Sequence, residues 1–562
     1  MRRRPPPAAA RAAAPAQPQR PAVTATARLL DDGSLALVLT EADAHLLEAA
    51  LASGGPLLVQ VAAEARPDSA RAELARGLRA LGDGPVSDAH ASLQLATALA
   101  TRPAADRRLA LTAILAAADA AWAAGDRPAC LSALDAARSA LAGRPDDCAP
   151  LNDHLLGLRA LIEQRPADAA APLRRVLAHG RAAASPEALH RASVAALLLG
   201  DVEAACATGL RALAAARARD RDDLATQTLE YLAYAEMRAG RHARARAHAR
   251  EGLRTALLSA RANTAAHHRA VLALTASVEG DAEEAAAQAL PALATARRHG
   301  LEQTRTLAEW ALAKADLGRG RPEAAADRLR GLVRPGGGHF AVQPLLMPCF
   351  IESAALAGRP GEARPVADAF QVWAGFGVDR AAAARLARCR ALLAAADTAS
   401  PDTVDTLYRH AIELHANDIG DYERARTQLR YGNWLRRRRR PRDARAVLRE
   451  ALHGFERCGA SAWAAQARAE LRATGEAPGG APAGEGGALL ALTPHQLRIA
   501  VHVATGATNR EVAQALSISV RTVDHHLRNI FAALGVRSRV ELARLVAASP
   551  EHRPAESPRR AW

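Results

Sequence analysis

Four polar side chains recur at helical spacing near the C-terminus of the chain. Arg521, Asp524, His525 and Arg528 stand at i, i+3, i+4 and i+7, so one helix would present all of them on a single face. Guanidinium, imidazole and carboxylate groups in such a row can hydrogen-bond to the base edges of nucleic acid. The other face is apolar and spaced as a core: Val523, Leu527, Ile530, Phe531 and Leu534. Because no Ser/His/Asp, Cys/His or metal-ligand arrangement stands out anywhere, we predict no catalytic residue, no metal site and no cofactor.

Capping signals delimit the helices that would position this face. A Ser or Thr followed three residues later by Glu or Gln is a capping box, and three such boxes begin at Thr493, Thr508 and Ser538. Ser519 is the predicted N-cap of the two-faced helix, and Gly535 is its predicted end. The sequence therefore predicts four helices between residues 491 and 548, and the two-faced helix is the third.

The second of these helices is short, and a tight turn at residues 516–518 joins it to the third. Val512 and Leu516 are predicted to face inward, and Ala513 is small enough for another helix to cross closely. A short helix, a tight turn and a longer two-faced helix form a helix-turn-helix, in which the longer helix enters the major groove of DNA.

The segment 491–548 resembles the LuxR-type helix-turn-helix domain over its whole length. The matching residues are Leu492, Thr493, Pro494, Gly506, Thr508 to Ala513, Ser519, Thr522, Val523, His526, Leu527, Ile530, Leu534 to Val536, Arg539 and Leu545. The resemblance implies a four-helix DNA-binding domain. It also implies that the last helix, about Ser538–Ala547, pairs with a second copy, so a homodimer on double-stranded DNA is expected.

The same resemblance divides the polar residues by role. Phosphate contacts are implied for Asn509, Arg510, Ser519 and Thr522. Base-reading positions are implied for Asp524, His525 and Arg528. Thr508, from the second capping box, and Arg521, from the polar face, complete the predicted DNA-binding set.

Three positions depart from the usual LuxR-type pattern. His495 and Gln496 stand where Arg-Glu is common, Ala533 where Lys or Arg is usual, and Asp524 where Lys is frequent. Asp524 could accept a hydrogen bond from a cytosine amino group, or it could repel phosphate and leave base reading to Arg528 and the histidines. The departures at 524 and 533 predict weaker non-specific affinity. A metal pair at His525 and its neighbour is disfavoured because adjacent helical residues point about 100° apart.

A repeat occupies the middle of the chain. Gly200, Gly240, Gly280 and Gly320 each precede a short helix-starting motif and lie 40 residues apart, and Gly358 follows after 38. A fixed period of about 20–50 residues is typical of helical solenoids, and this one resembles tetratricopeptide-type repeats with a longer period. Each glycine is predicted to end one helix in a left-handed cap. Earlier and later copies of the same turn are predicted at Gly125, Gln164 and Arg439.

Two further expectations concern helices inside the repeats. Ala245, Ala249, Leu253 and Leu257 recur every four residues and predict one narrow apolar stripe. Pro291 lies inside a predicted helix, which it should kink or end.

Composition and charge agree with this organisation. Aromatic residues make up only 3%, and alanine, the best helix former, is abundant, so we expect an all-α fold. The formal net charge is +15, and residues 491–562 carry ten arginines against five acidic residues. A basic balance favours nucleic acid as a partner, although it also suits a merely soluble protein. No run of roughly 18 apolar residues and no signal-peptide pattern occurs, so no membrane association and a cytoplasmic location are expected.

Six segments are predicted along the chain. They are a disordered tail at 1–22, a mostly helical segment at 23–100 with a small β-hairpin at 29–40, tetratricopeptide-like helical repeats at 101–474, a flexible Gly/Ala/Pro linker at 475–490, the LuxR-type domain at 491–548, and a disordered tail at 549–562. Arg436 to Arg440 form the densest charge cluster, which is expected at a solvated helix C-terminus or, alternatively, in a second nucleic-acid patch.

The preferred interpretation is a sequence-specific DNA-binding transcriptional regulator whose repeats receive an unknown protein, peptide or small-molecule effector. The alternative is a helical-repeat scaffold with weak or no DNA binding, against which Asn509, Arg510, Arg521 and Arg528 argue.

A third possibility is an ATP-driven switch. Residues from about 90 to 548 resemble the C-terminal two-thirds of large ATP-binding LuxR regulators, but the ATPase module of those proteins has no counterpart here. Lys314 is the chain's single lysine, and no glycine-rich loop precedes it, so no P-loop is predicted.

Overall fold

The computed structural model describes residues 22–29, 35–39, 58–61, 67–101, 106–142, 148–375, 381–397, 399–415, 421–475, 492, 494–516, 518–536 and 538–547. The predicted tails except for Ala22, nearly all of the predicted linker and the first capping-box residue, Thr493, lie outside these ranges.

A small mixed sheet precedes the helices. Its strands are β1 (Ala22–Leu29), β2 (Leu35–Leu39) and β3 (Leu58–Val61), in the order β2-β1-β3. β1 pairs antiparallel with β2 and parallel with β3. The predicted hairpin is therefore present, but its first strand lies earlier than expected. β3 occupies a stretch where helix was predicted; its Leu-Val-Gln-Val sequence is short and β-branched, which favours a strand.

Twenty-one helices fill the described part of residues 67–473. They are α1 (Pro67–Asp83), α2 (Val86–Ala100), α3 (Arg107–Ala124), α4 (Arg127–Leu141), α5 (Ala149–Ile162), α6 (Pro166–Ala182), α7 (Pro186–Leu198), α8 (Val202–Arg217), α9 (Asp222–Arg238), α10 (His242–Leu258), α11 (Ala262–Glu279), α12 (Ala282–His299), α13 (Glu302–Gly318), α14 (Pro322–Arg330), α15 (Gln343–Leu356), α16 (Pro360–Gly375), α17 (Ala381–Ala396), α18 (Pro401–Leu414), α19 (Tyr422–Arg437), α20 (Pro441–Arg457) and α21 (Ser461–Ala473). The predicted helical-repeat architecture is confirmed.

The turns inside the repeats have the predicted left-handed backbone. Gly200, Gly240 and Gly320 have φ of 72°, 74° and 71°. The same conformation recurs at Gln164 (φ 60°) and Arg439 (φ 58°), where the sequence has no glycine. The turn between two helices of a repeat thus has a left-handed backbone even where the residue is Gln164 or Arg439 and carries a side chain.

The predicted apolar stripe needs correction, whereas a kink at Pro291 stays a prediction. In α10 the buried stripe is Ala245, Ala249, Gly252 and Ala256, while Leu257 is 55% exposed. Residues spaced strictly four apart drift around a helix of 3.6 residues per turn. The buried stripe therefore shifts to Gly252 and Ala256, one residue before the predicted Leu253 and Leu257. Pro291 does not end its helix, because α12 continues to His299. Pro291 is exposed, so water can satisfy the carbonyl that lacks its usual donor.

The helix pairs form two layers that coil back on themselves. α9, α11 and α13 are buried on most sides, whereas α8, α10 and α12 are buried along one stripe, so the odd-numbered helices form the inner layer. Asn263 of α11 donates to the backbone oxygen of Gly84 at 2.9 Å. His339 donates from Nε2 to the oxygen of Trp122 at 2.7 Å. These contacts between distant repeats enclose a concave inner surface.

Four helices form the C-terminal domain. They are α22 (Pro494–Ala504), α23 (Asn509–Ala515), α24 (Val520–Leu534) and α25 (Arg539–Ala547). Ile499, Val512, Leu527 and Leu542, one from each helix, are buried together in its core. The predicted four-helix domain after the repeats is confirmed. Among the helices described, none is long and apolar enough to cross a membrane.

Candidate nucleic-acid interface

The N-terminus of α23 is closed by the second predicted capping box. Thr508 Oγ1 accepts a hydrogen bond from the Glu511 backbone N–H, and the Glu511 carboxylate accepts one from the Thr508 N–H at 2.6 Å. The bond from the Thr508 N–H, and a second one from the Thr508 hydroxyl to the same carboxylate, lower the pKa of Glu511. The box holds Asn509 and Arg510 on the first turn of the helix, where the macrodipole favours a phosphate.

The two-faced helix α24 has the predicted caps. Ser519 Oγ accepts from the Thr522 N–H at 3.0 Å, and Gly535 ends the helix with φ of 67°. Val523 and Ile530 have no exposed surface, and Leu527 is 6% exposed. The apolar face is therefore the one that packs into the domain, as predicted.

The polar face of α24 is turned to solvent. Arg521, Asp524 and Arg528 are exposed, as are Arg510 and Ser519 beside them. Thr508 is also exposed, whereas Asn509 and Thr522 are half-buried. The side chain of His525 lies outside the described residues. The predicted set thus lies along α24 and the first turn of α23, on one continuous stretch of the domain.

A side-chain network that sequence reasoning missed links three helices at this surface. Asn509 Nδ2 donates to Asp524 Oδ1, and Arg539 Nη1 donates to Asn509 Oδ1 at 2.6 Å. Arg539 also donates from Nη2 to the Ala507 backbone oxygen. One carboxylate oxygen of Asp524 is therefore engaged inside the domain. In the sequence, Arg539 is recognisable only as a residue typical of LuxR-type domains. Its partner Asn509 lies 30 residues earlier, too far for a local sequence signal.

At the last helix, one of the two bonds of the third predicted box is present. Ser538 Oγ accepts from the Glu541 N–H at 3.2 Å. On the same turn, Val540 is 61% exposed. The arginine cluster at Arg436–Arg440 lies at the C-terminus of α19, and both of its end residues form ion pairs, Arg436 with Glu470 and Arg440 with Asp405.

Comparisons with known proteins bear on both regions. Residues 490–546 match the family described as bacterial regulatory proteins, luxR family. No curated protein matches the chain. Among solved structures, the chain is similar to a Rap protein complexed with competence and sporulation factor, with 12% identity, 73% of this chain and 98% of that chain covered, and a TM-score of 0.33. It is also similar to the apo form of RapI, with 10% identity, 72% and 98% coverage, and a TM-score of 0.29.

The domain's own geometry and the family match agree. A capped short helix, a tight turn and a capped two-faced helix lie within residues 490–546. Residues 490–546 are therefore a helix-turn-helix domain of the luxR family of bacterial regulatory proteins, placed after a region of helical repeats.

Proposed function

We propose that this protein is a sequence-specific DNA-binding transcriptional regulator. The observation that carries the proposal is the exposed row of Arg521, Asp524 and Arg528 on α24, held over a buried apolar face in a luxR-family domain. In this account α24 lies in the major groove of double-stranded DNA, with Asp524, His525 and Arg528 at base edges.

The remaining residues of the predicted set position the domain on the DNA backbone. Arg510 supplies charge to a phosphate, and Thr508, Asn509, Ser519 and Thr522 supply hydrogen bonds near two helix N-termini. Arg521 lies at the edge of the polar face, next to the backbone of the groove. We infer that α25 pairs two copies on the DNA, with the exposed Val540 in the interface.

We further propose that the helical repeats receive the signal. Their inner layer encloses a concave surface, which in stacked-helix proteins is a site for partners. The regulator acts in the cytoplasm, where it meets DNA, and no catalytic residue, metal or cofactor is assigned to it.

The alternative, a helical-repeat scaffold with weak or no DNA binding, is favoured by one feature. Asp524 places a carboxylate on the face that would meet a polyanion. Its hydrogen bond with Asn509 orients the carboxylate through one oxygen and leaves its charge exposed.

A random pool of DNA duplexes tests the proposal. The full-length chain should enrich a two-fold-symmetric motif over several rounds of selection, because two copies of α24 read two half-sites. A variant with Arg521 and Arg528 both changed to Ala is the matched control and should enrich nothing. Failure of the unmodified chain to enrich any motif at low salt would reject the regulator.

A further inference from the structure

An open cavity lies on the inner surface of the helical repeats. Its volume is about 130 Å³, and α3, α7, α9, α11, α13, α15 and α16 contribute to its walls. Residues as distant in sequence as Trp122 and Trp373 meet there. A cavity of about this size accepts a single-ring organic molecule, and a folded helix, about 10 Å across, would not fit.

The walls of the cavity are unusually aromatic for this chain. The whole protein has six tryptophans and five tyrosines. Trp122, Trp373, Tyr231 and Tyr234 all line the cavity. The buried indole Nε1 of Trp122 has no hydrogen-bond partner among the residues that the structure describes. Aromatic rings around a cavity attract cations through their negative faces.

The polar group set among these rings is a carboxyl whose direct partner is an imidazole. Glu230 lines the cavity, its side chain is 19% exposed, and its Oε1 lies 3.0 Å from Nε2 of His267. Burial lowers the pKa of His267 to about 4, so the imidazole is neutral near pH 7. Burial raises the pKa of Glu230 to about 8, although Arg261 opposes this.

A second carboxyl lies close by. Asp119 is one helical turn before Trp122 on α3, and its side chain is exposed to solvent. A cation bound in the cavity would stabilise the anionic form of Glu230, which lines it.

We propose that this cavity binds a small organic cation, with its ammonium group near Glu230 and its apolar body against the aromatic walls. The inference rests on the proposed role of the repeats as the sensor and names the chemical class of the effector. An anionic ligand fits less well. Arg238, the single arginine in the lining, donates to the backbone oxygen of Leu197 at 3.2 Å.

Isothermal titration of the full-length chain without DNA tests the inference. The probes are three amines, phenethylamine, tyramine and spermidine, with phenethyl alcohol as the neutral match and phenylacetate as the anionic match of the first. At least one amine should bind, and phenethylamine should bind at least about tenfold more tightly than phenethyl alcohol if the charge is recognised. Tryptophan fluorescence should change in parallel, because Trp122 and Trp373 line the site.

A pair of isosteric variants locates the site. Glu230→Gln should weaken amine binding about tenfold or more, since it removes the counter-charge and keeps the shape. Glu283→Gln, at an exposed position of α12, is the control and should bind as the unmodified chain does. Circular dichroism checks that both variants fold. The comparison of the probes on the unmodified chain does not depend on either variant.

Three results would overturn the inference. They are no binding of any amine up to about 10 mM, equal binding of the amine and the alcohol, or tighter binding of phenylacetate. Because DNA is absent from the titration, its failure leaves DNA binding untouched, and failure of DNA binding leaves the cation site intact.

Discussion

At the scale of single residues, the domain separates groups that face bases from groups that face phosphates. Arg528 is exposed in the middle of α24, whereas Arg510 is exposed on the first turn of α23. A guanidinium in the groove can pair with a guanine edge, while one beside a helix N-terminus meets only phosphate. The two arginines should therefore contribute differently to binding.

Arg528→Ala should cost about 1–3 kcal/mol on the selected duplex and relax base preference at one position of each half-site. Arg510→Ala should weaken binding to all duplexes alike. Fluorescence anisotropy on the selected duplex and on single-base variants of it measures both effects. Equal losses across all duplexes for both variants would contradict the assignment of roles.

The network of Arg539, Asn509 and Asp524 gives a second prediction at this scale. Arg539→Ala removes the donors to Asn509 and to the Ala507 oxygen, so the domain should lose about 1 kcal/mol of stability. Arg544→Ala, an exposed position on the same helix, is the control and should change stability little. Thermal unfolding compares the stability of the two variants. An Arg539 variant as stable as the control would show that the network does not stabilise the domain.

Much of this site follows from sequence, because caps and faces are local. Thr508, Ser519 and Gly535 mark helix ends through contacts with residues only three or four positions away in the sequence. The link from Asn509 to Asp524 depends on how two helices cross, and nothing within one helix encodes it. Hence the surface could be predicted but its internal hydrogen bonds could not.

At the scale of elements, the turns between helices carry the clearest physical signal. Ala260, at the turn between α10 and α11, has φ of 51°, a conformation that costs a side-chain-bearing residue about 1–2 kcal/mol. Gly300 occupies the corresponding place 40 residues later with φ of 72°. The repeat spacing predicts such turns, but a residue such as Ala260 gives no sign of its own backbone strain.

Ala260→Gly should therefore stabilise the repeats by about 0.5–1 kcal/mol, since the left-handed strain exceeds the entropy cost of glycine. Gly320→Ala should destabilise them by about 1 kcal/mol, and no atom near Gly320 would clash with the new Cβ. Urea denaturation followed by circular dichroism measures both changes. A destabilising Ala260→Gly would disprove the strain argument.

At the scale of the whole molecule, distant repeats are joined by a buried ionic cluster. Glu352 of α15 is fully buried and accepts from Arg426 at 2.6 Å and from Arg430 at 2.7 Å, both on α19. Arg388 of α17 lies 3.8 Å away. Burial alone would raise the pKa of Glu352, but the three arginines outweigh it and hold the pKa at about 2. In the sequence, these charged residues look like surface positions. They are buried because the repeats pack against one another.

The pH dependence of this cluster has a definite sign. Because the pKa of Glu352 is lower in the folded state, its stabilising effect is complete above the ordinary glutamate pKa of about 4.3. It is lost as pH falls through about 2. Glu352→Gln should therefore cost about 3–5 kcal/mol at pH 7. The gap to the unmodified chain should close in acid, and denaturant unfolding across this pH range measures it. A gap independent of pH would refute the assigned charge state.

The salt dependence of binding tests most directly how the C-terminal domain contacts DNA. Anisotropy titrations of the full-length chain on its selected duplex, between about 50 and 200 mM salt, should give a straight falling line on logarithmic axes. Arg510→Ala should reduce that slope by about two for a dimer, one phosphate contact per copy. Binding that ignores salt, or no binding to any duplex at the lowest salt, would contradict the account.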